Sequence, residues 1–203
     1  MGGKLCIFGG TFNPVHRGHL AMARAACKQF DLDRLLWVPA GQPPHKPLLG
    51  NATIDDRLEM VRLAIASEAG MELSPIDAHR PGPAYAIDTL ELLDRAYPET
   101  CWYWLLGEDS LIDLPGWQRA SELIGRCHWL VAARQNNSRL EGQLVELRER
   151  YRAQFSPLAH FWCAISSTGV RERIAQGLAI DDLVPGAVAA YIHRHHLYTA
   201  HPR

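Results

Sequence analysis

The sequence predicts an α/β fold: a single Rossmann-like domain over residues 1–203, with a mainly parallel sheet and helices on both faces. Three observations predict it. Short apolar runs alternate with helix-period segments along the whole chain, the pattern of βαβ units. The central runs, such as residues 101–106 (CWYWLL), are continuously apolar rather than alternating, as burial on both faces of a sheet requires. A chain of 203 residues with 47% hydrophobic and 21% charged side chains suits one domain with one sizeable core and excludes wholesale disorder.

The elements follow in order. Residues 4–8 (KLCIF) read as the first strand, ended by Gly9 and Gly10, with a helix over 19–30. Residues 34–38 (RLLWV) are the second strand, stopped by Pro39. Residues 40–52 (AGQPPHKPLLGNA) hold three prolines and two glycines and make a long loop, a feature that is usually functional in a compact domain. Thr53 and Asp56 form a capping box, and Ile54, Leu58, Val61 and Ile65 are the apolar stripe of the helix it opens. Residues 71–73 are a short strand, 80–84 (RPGPA) a turn, and Ile87, Leu90, Leu93 and Tyr97 mark the next helix. Strands at 101–106 and 128–132 are followed by a charged helix over 140–153 and a last strand at 161–165 (FWCAI). The C-terminal segment, about 168–198, is helical over 168–176 and 187–195.

Composition excludes several classes. Lys and Arg total 21 against 22 Asp and Glu, and a formal charge of -1 argues against a general nucleic-acid or membrane-surface binder, since both need a basic field. No apolar run approaches the roughly 20 residues of a membrane span, and the apolar N-terminus is too short for a signal peptide. Five cysteines with no C-x-x-C pair read as buried free thiols of a reducing cytoplasm. The run His193-Arg194-His195-His196 reads as a polar helix end favoured by the dipole, since no third ligand stands nearby to complete a zinc site.

Two strand-to-helix junctions carry the chemistry. The first strand runs into residues 9–19 (GGTFNPVHRGH). The glycines permit close backbone approach to an anion, Gly18 and His19 open a helix whose N-terminus attracts phosphate, and His16 and His19 stand three residues apart so that both imidazoles converge there. The alternative is a Gly-rich turn with two incidental histidines; a Walker A loop is excluded, as no Gly-Lys-Ser/Thr follows. The last strand ends in residues 165–171 (ISSTGVR). Ser167 or Thr168 as a simple helix cap explains one hydroxyl, but not three together with Arg171, whose planar fork suits phosphate oxygens.

These two motifs together resemble the nucleotidyltransferase superfamily with an H-x-G-H motif. Further stretches narrow the resemblance to bacterial nicotinate-nucleotide adenylyltransferases: residues 43–46 (PPHK), residues 80–89 (RPGPAYAIDT, similar to R-x-G-x-S-Y-T-x-D-T), Gly107-Glu108-Asp109 followed by Trp117, and the C-terminal Val184-Pro185, Tyr191-Ile192 and Leu197-Tyr198. Ala84 and Ala86 depart from it, standing where the family often has Ser and Thr. The resemblance covers essentially the whole chain.

It implies adenylyl transfer from ATP to nicotinate mononucleotide, giving deamido-NAD and pyrophosphate in NAD biosynthesis. By the resemblance, His16, His19 and Arg171 are catalytic. With Ser166, Ser167 and Thr168 they hold the triphosphate, and the backbone of Gly9, Gly10, Thr11 and Phe12 lies close to it. Asp109 places the ATP nucleoside. Lys46, Tyr85, Thr89 and Trp117 face the mononucleotide; a solvated loop lysine and a core tryptophan are the plain alternatives for Lys46 and Trp117. The resemblance also puts His45 on the mononucleotide loop, Asp88 in support of that loop and Arg134 on the nucleotide side. Mg²⁺ rides on ATP oxygens, because neither phosphate loop has a carboxylate cluster. A helix opened at Trp117 after Pro115-Gly116 would turn free N–H groups toward the carboxylate of the ring. Two other readings stand: another enzyme of the superfamily, such as phosphopantetheine adenylyltransferase or a cytidylyltransferase, whose chains look shorter and lack the P-P-H-K loop and D-T segment; and a nucleotide-sensing module without turnover, whose mark would be loss of His19 or Arg171.

Overall fold

The strands are β1 (Lys4–Gly10), β2 (Arg34–Pro39), β3 (Met71–Leu73), β4 (Cys101–Gly107), β5 (His128–Ala132) and β6 (Gln154–Pro157). In this computed structural model, which describes residues 3–44, 48–133, 138–159, 161 and 163–199, they form one sheet in the order β3-β2-β1-β4-β5-β6. Every neighbouring pair is parallel. The order reverses between β1 and β4, which makes the carboxyl ends of those two strands the switch point where such sheets bind ligands.

Alternate residues of each strand enter opposite layers, as the period of two dictates. Cys6, Phe8, Leu35, Trp37 and Leu130 face α1 (Arg17–Phe30), α2 (Ile54–Ile65), α7 (Ser167–Ala175) and α8 (Gly186–Arg194). Leu5, Ile7, Leu36, Trp104 and Trp129 face α3 (Ala86–Ala96), α4 (Glu108–Asp113), α5 (Ala120–Gly125) and α6 (Ser138–Tyr151). No helix among the described residues is long and apolar enough to cross a membrane.

Four expectations change. Phe161 and Cys163 to Ile165 are not strand; the sixth strand is Gln154–Pro157, paired with β5 through His128↔Gln154 to Val131↔Pro157. As the sheet's edge, β6 tolerates Pro157, which lacks a donor. Phe161 and Ile165 pack on the core ahead of α7, so their apolar character reflects burial and not pairing. The α2 stripe is rotated: its buried residues are Arg57, Met60, Val61, Ala64 and Ile65, with Ile54 and Leu58 at the margin. Helix α4, a 3₁₀ turn at Leu114–Gly116 and α5 are additional. All five cysteines are free, but only Cys6 and Cys127 are buried, and Cys101, at the first position of β4, is exposed.

Candidate active site

A cavity of about 570 Å³ opens at the carboxyl ends of β1 and β4. Its lining brings together Gly9, Gly10, Thr11, Phe12, His16, His19, Tyr85, Thr89, Asp109, Trp117, Ser166, Ser167, Thr168 and Arg171. Residues more than 150 positions apart in sequence therefore share one wall. Asp88 lies outside that lining, and His45, Lys46 and Arg134 lie outside the described residues.

The two histidines build the start of α1. His16 is the N-cap and the helix begins at Arg17, two residues before the expected start at His19. The His16 N–H donates to His19 Nδ1 (3.2 Å) and the His19 N–H donates to His16 Nδ1 (3.3 Å), a capping box closed by two imidazoles. The rings stack with centroids 3.6 Å apart. Because each Nδ1 accepts a hydrogen bond, the proton of each neutral ring resides on Nε2. Burial, reinforced by His16, holds His19 well below the ordinary imidazole range, so at neutral pH it is an uncharged donor. The Arg17 N–H goes to Leu183 O (2.8 Å), which leaves imidazole edges and the dipole, rather than a row of backbone donors, facing the cavity from this helix.

Glycine is required at position 18, since a Cβ there would lie 2.6 Å from Cys163 Sγ and 2.9 Å from His16 Nδ1. Phe12 borders the cavity, while its ring is buried and packs on Phe8, His19 and Trp37, in a left-handed backbone (φ 47°) that is costly for a bulky residue.

The second wall is the start of α7. Ser166, not Ser167 or Thr168, is the cap, accepting from the Gly169 N–H (3.1 Å). Ser167 Oγ donates to Pro14 O (2.9 Å), and Arg171 donates from Nη1 to Asn13 O (2.7 Å) and from Nη2 to Thr168 Oγ1 (3.2 Å). The two junctions are thus tied together, and the remaining guanidinium N–H groups are left for an anion. Among the described residues, the N–H groups of Ser167 and Thr168 also make no internal bond.

On the far side, Trp117 is half-buried, edge-on to Trp104 (6.5 Å) and Trp129 (6.4 Å), with part of its surface in the cavity. Its N–H donates to Leu114 O (3.1 Å), so Trp117 closes a 3₁₀ turn rather than opening a helix, and the expected free N–H at this position is not there. Thr89 borders the cavity, but its hydroxyl is buried and donates to the Asp77 carboxylate, with Tyr85 O 3.1 Å away. Arg80 bridges Asp77 (3.0 Å) and Asp88 (3.1 Å), so Asp88 belongs to the support of this wall. Asp109 is exposed on the first turn of α4, two residues beyond the end of β4. Ala84 and Ala86 line the same wall, and the Ala84 N–H donates to Gln42 O (2.8 Å), holding the long loop to it.

Arg57 went unnoticed in the sequence. It is fully buried and donates to Thr11 O (2.8 Å), Ala40 O (2.7 Å) and Gly41 O (3.2 Å), joining the loops that follow β1 and β2. Its signal was available: Arg57, Val61 and Ala64 fall on one helical face. Gly41 completes this joint, for a Cβ there would meet Ala78 O at 2.4 Å.

With this geometry in hand, likenesses to known proteins become specific. Residues 7–173 match the cytidylyltransferase-like family. A protein of Gloeobacter violaceus named "Probable nicotinate-nucleotide adenylyltransferase" is 61% identical over 98% of this chain and 97% of its own. A Synechococcus protein of the same name is 46% identical over 96% and 94%. The fold is that of Plasmodium falciparum nicotinic acid mononucleotide adenylyltransferase complexed with NaAD, with TM-score 0.78, 97% of both chains covered and 18% identity, a level that speaks for the fold alone.

Proposed function

The chain belongs to the cytidylyltransferase-like family and, within it, to the nicotinate-nucleotide adenylyltransferases, and from that premise we propose that it transfers the adenylyl group of ATP to nicotinate mononucleotide, releasing pyrophosphate and forming deamido-NAD. One observation carries the reading: two helix N-termini, at His16 and Ser166, are bonded into one wall at the switch point of the sheet, opposite an aromatic wall at Trp117.

A phosphate oxygen of the mononucleotide attacks the α-phosphorus of ATP. That bond forms as the bond from the α-phosphorus to the bridging oxygen breaks, and the electron pair leaves with pyrophosphate. Both reactants are anions, so the site acts by alignment and by stabilising charge, with no covalent intermediate on the protein. We assign the Nε2–H groups of His16 and His19 and the fork of Arg171 to the triphosphate, where charge grows on the leaving group. The hydroxyls of Ser166 and Thr168 and the N–H groups of Ser167 and Thr168 add neutral donors, while the Ser167 hydroxyl is spent on Pro14 O, and Asp109 lies toward the ATP nucleoside. Trp117 and Tyr85 offer faces to the pyridine ring, whereas Thr89 acts through Asp77 by shaping the wall. The donors around the phosphate wall are cationic or neutral, which suits Mg²⁺ delivered on ATP oxygens.

The test is pyrophosphate release from the protein, ATP and Mg²⁺ with nicotinate mononucleotide, phosphopantetheine or choline phosphate as the second substrate. Release that depends on nicotinate mononucleotide is expected. Release with another partner only, or none at all, refutes the reading.

A further inference from the structure

Tyr198 lines no part of the cavity, yet it is bonded into the groups that do. It lies beyond α8, its side chain is buried, and its backbone holds the left-handed region (φ 63°), as does His196 (φ 50°). Such conformations persist in non-glycine residues only where the surroundings over-determine them. Here they do. The Tyr198 N–H donates to Asn51 Oδ1 (2.8 Å), Asn51 Nδ2 donates to His196 O (3.2 Å), and the ring packs on Gly50, where a Cβ would lie 2.8 Å from Cδ1.

The hydroxyl then reaches the phosphate loop. Tyr198 Oη donates to Asn13 Oδ1 (2.7 Å). With Oδ1 engaged, the carboxamide has one orientation, and its Nδ2 donates to Leu49 O (2.7 Å). The carbonyl of the same residue accepts from Arg171 Nη1 (2.7 Å). Asn13 is buried, so its amide has no water to replace a lost partner. Leu48 and Leu49 line the cavity from the long loop, and Arg171 lines it from α7.

We propose that Tyr198 is a positioning residue for both substrates: through Asn13 its hydroxyl sets Arg171 on the triphosphate side and residues 48–51 on the mononucleotide side. The inference rests on the adenylyl-transfer reading for its kinetic consequence, but the bonding chain can be tested without turnover.

The experiment uses the full chain with Tyr198→Phe, Asn13→Ala and the double variant. Steady-state pyrophosphate release is measured against each substrate, alongside melting curves and hydrogen exchange over residues 48–52. Tyr198→Phe is expected to raise KM for both substrates about tenfold, with kcat within threefold of the parent, and to speed exchange over 48–52. In the Asn13→Ala background the same change should add less than twofold. A parent-like KM for both substrates, or an effect that multiplies in full with that of Asn13→Ala, overturns the proposal. A lowered melting temperature with unchanged KM also overturns it, since that is what a purely structural tyrosine gives. If Tyr198→Phe does not fold, Asn51→Ala must raise KM in the same way, and a parent-like result overturns it. Should the parent show no adenylyl transfer, unchanged exchange over 48–52 in Tyr198→Phe would still refute the bonding chain from Tyr198 through Asn13, separately from the proposed reaction.

Discussion

Replacing His19 by Ala removes one half of the capping box, a packed ring and a donor, and their consequences fall on different observables. The lost half is the bond that His19 Nδ1 accepts from the His16 N–H, worth about 1 kcal/mol. The ring stacks on His16 and meets Phe8 and Phe12 edge-on, but keeps part of its surface in the cavity, so its loss costs about 1–2 kcal/mol, less than truncation of a fully buried aromatic. For a chain of this length the two together lower the melting temperature by roughly 5–10 °C. The Nε2–H donor is a separate matter: removing one preorganised donor from charge that develops in the transition state lowers kcat by about 10²–10³, with a much smaller change in ATP affinity. Pyrophosphate release at saturating substrates, with melting curves in the same buffer, distinguishes the two. A folded His19→Ala enzyme with kcat within a few fold of the parent refutes the donor role. The protonation state adds a second check. Burial lowers the His19 pKa, so the neutral ring is the working form and the parent's kcat should hold level from pH 6.5 to 8; a decline across that span with a midpoint near 7 refutes it. Below pH 6.5 the unfolded chain binds the proton before the folded one does. The contribution of His19 to stability is therefore complete above that pH and is lost as pH falls, with a slope of at most about 1.4 kcal/mol per pH unit that His19→Ala should abolish.

Other substitutions test neighbouring parts of the argument. Arg171→Lys keeps the charge but cannot hold Asn13 O, Thr168 Oγ1 and a phosphate together, so kcat/KM should drop roughly 10- to 100-fold; parent-like turnover would make Arg171 a general cation. Gly18→Ala should destabilise by about 1–3 kcal/mol through the Cβ contact with Cys163 Sγ, and Cys163→Ala in the same chain should recover part of the loss in thermal unfolding; no recovery would place the clash at His16 instead. Trp117→Ala should raise KM for the mononucleotide about tenfold while leaving that for ATP near its starting value, as loss of one aromatic face predicts. Equal changes in both constants would mean that Trp117 serves only the Trp104–Trp129 cluster.

Local patterns carried much of this protein. The continuous apolar runs of β4 and β5 announced a parallel sheet because a strand buried on both faces has no polar alternation to keep. The histidines at 16 and 19 marked a helix start at the end of the first strand, because the cap and the ring that answers it are decided within one turn of helix. The failures are equally physical. Residues 161–165 are as apolar as a strand, but pairing depends on the free edge that β5 presents, and Gln154–Pro157 occupies it. Thr89 matched a motif, yet its hydroxyl turns to Asp77, a partner twelve positions away that only the folded wall brings close. Arg57 shows in sequence only as one position of the helical face it shares with Val61 and Ala64, and Tyr198 only as the last residue of a C-terminal match; neither pattern says what the side chain bonds. Their roles depend on carbonyls and amides 46 and 185 positions away, at Thr11 and Asn13. Hydrophobic period and helix caps are written within a few residues and can be read there. The partner of a buried polar group is chosen by where the closed sheet delivers distant backbone, and that is decided only in three dimensions.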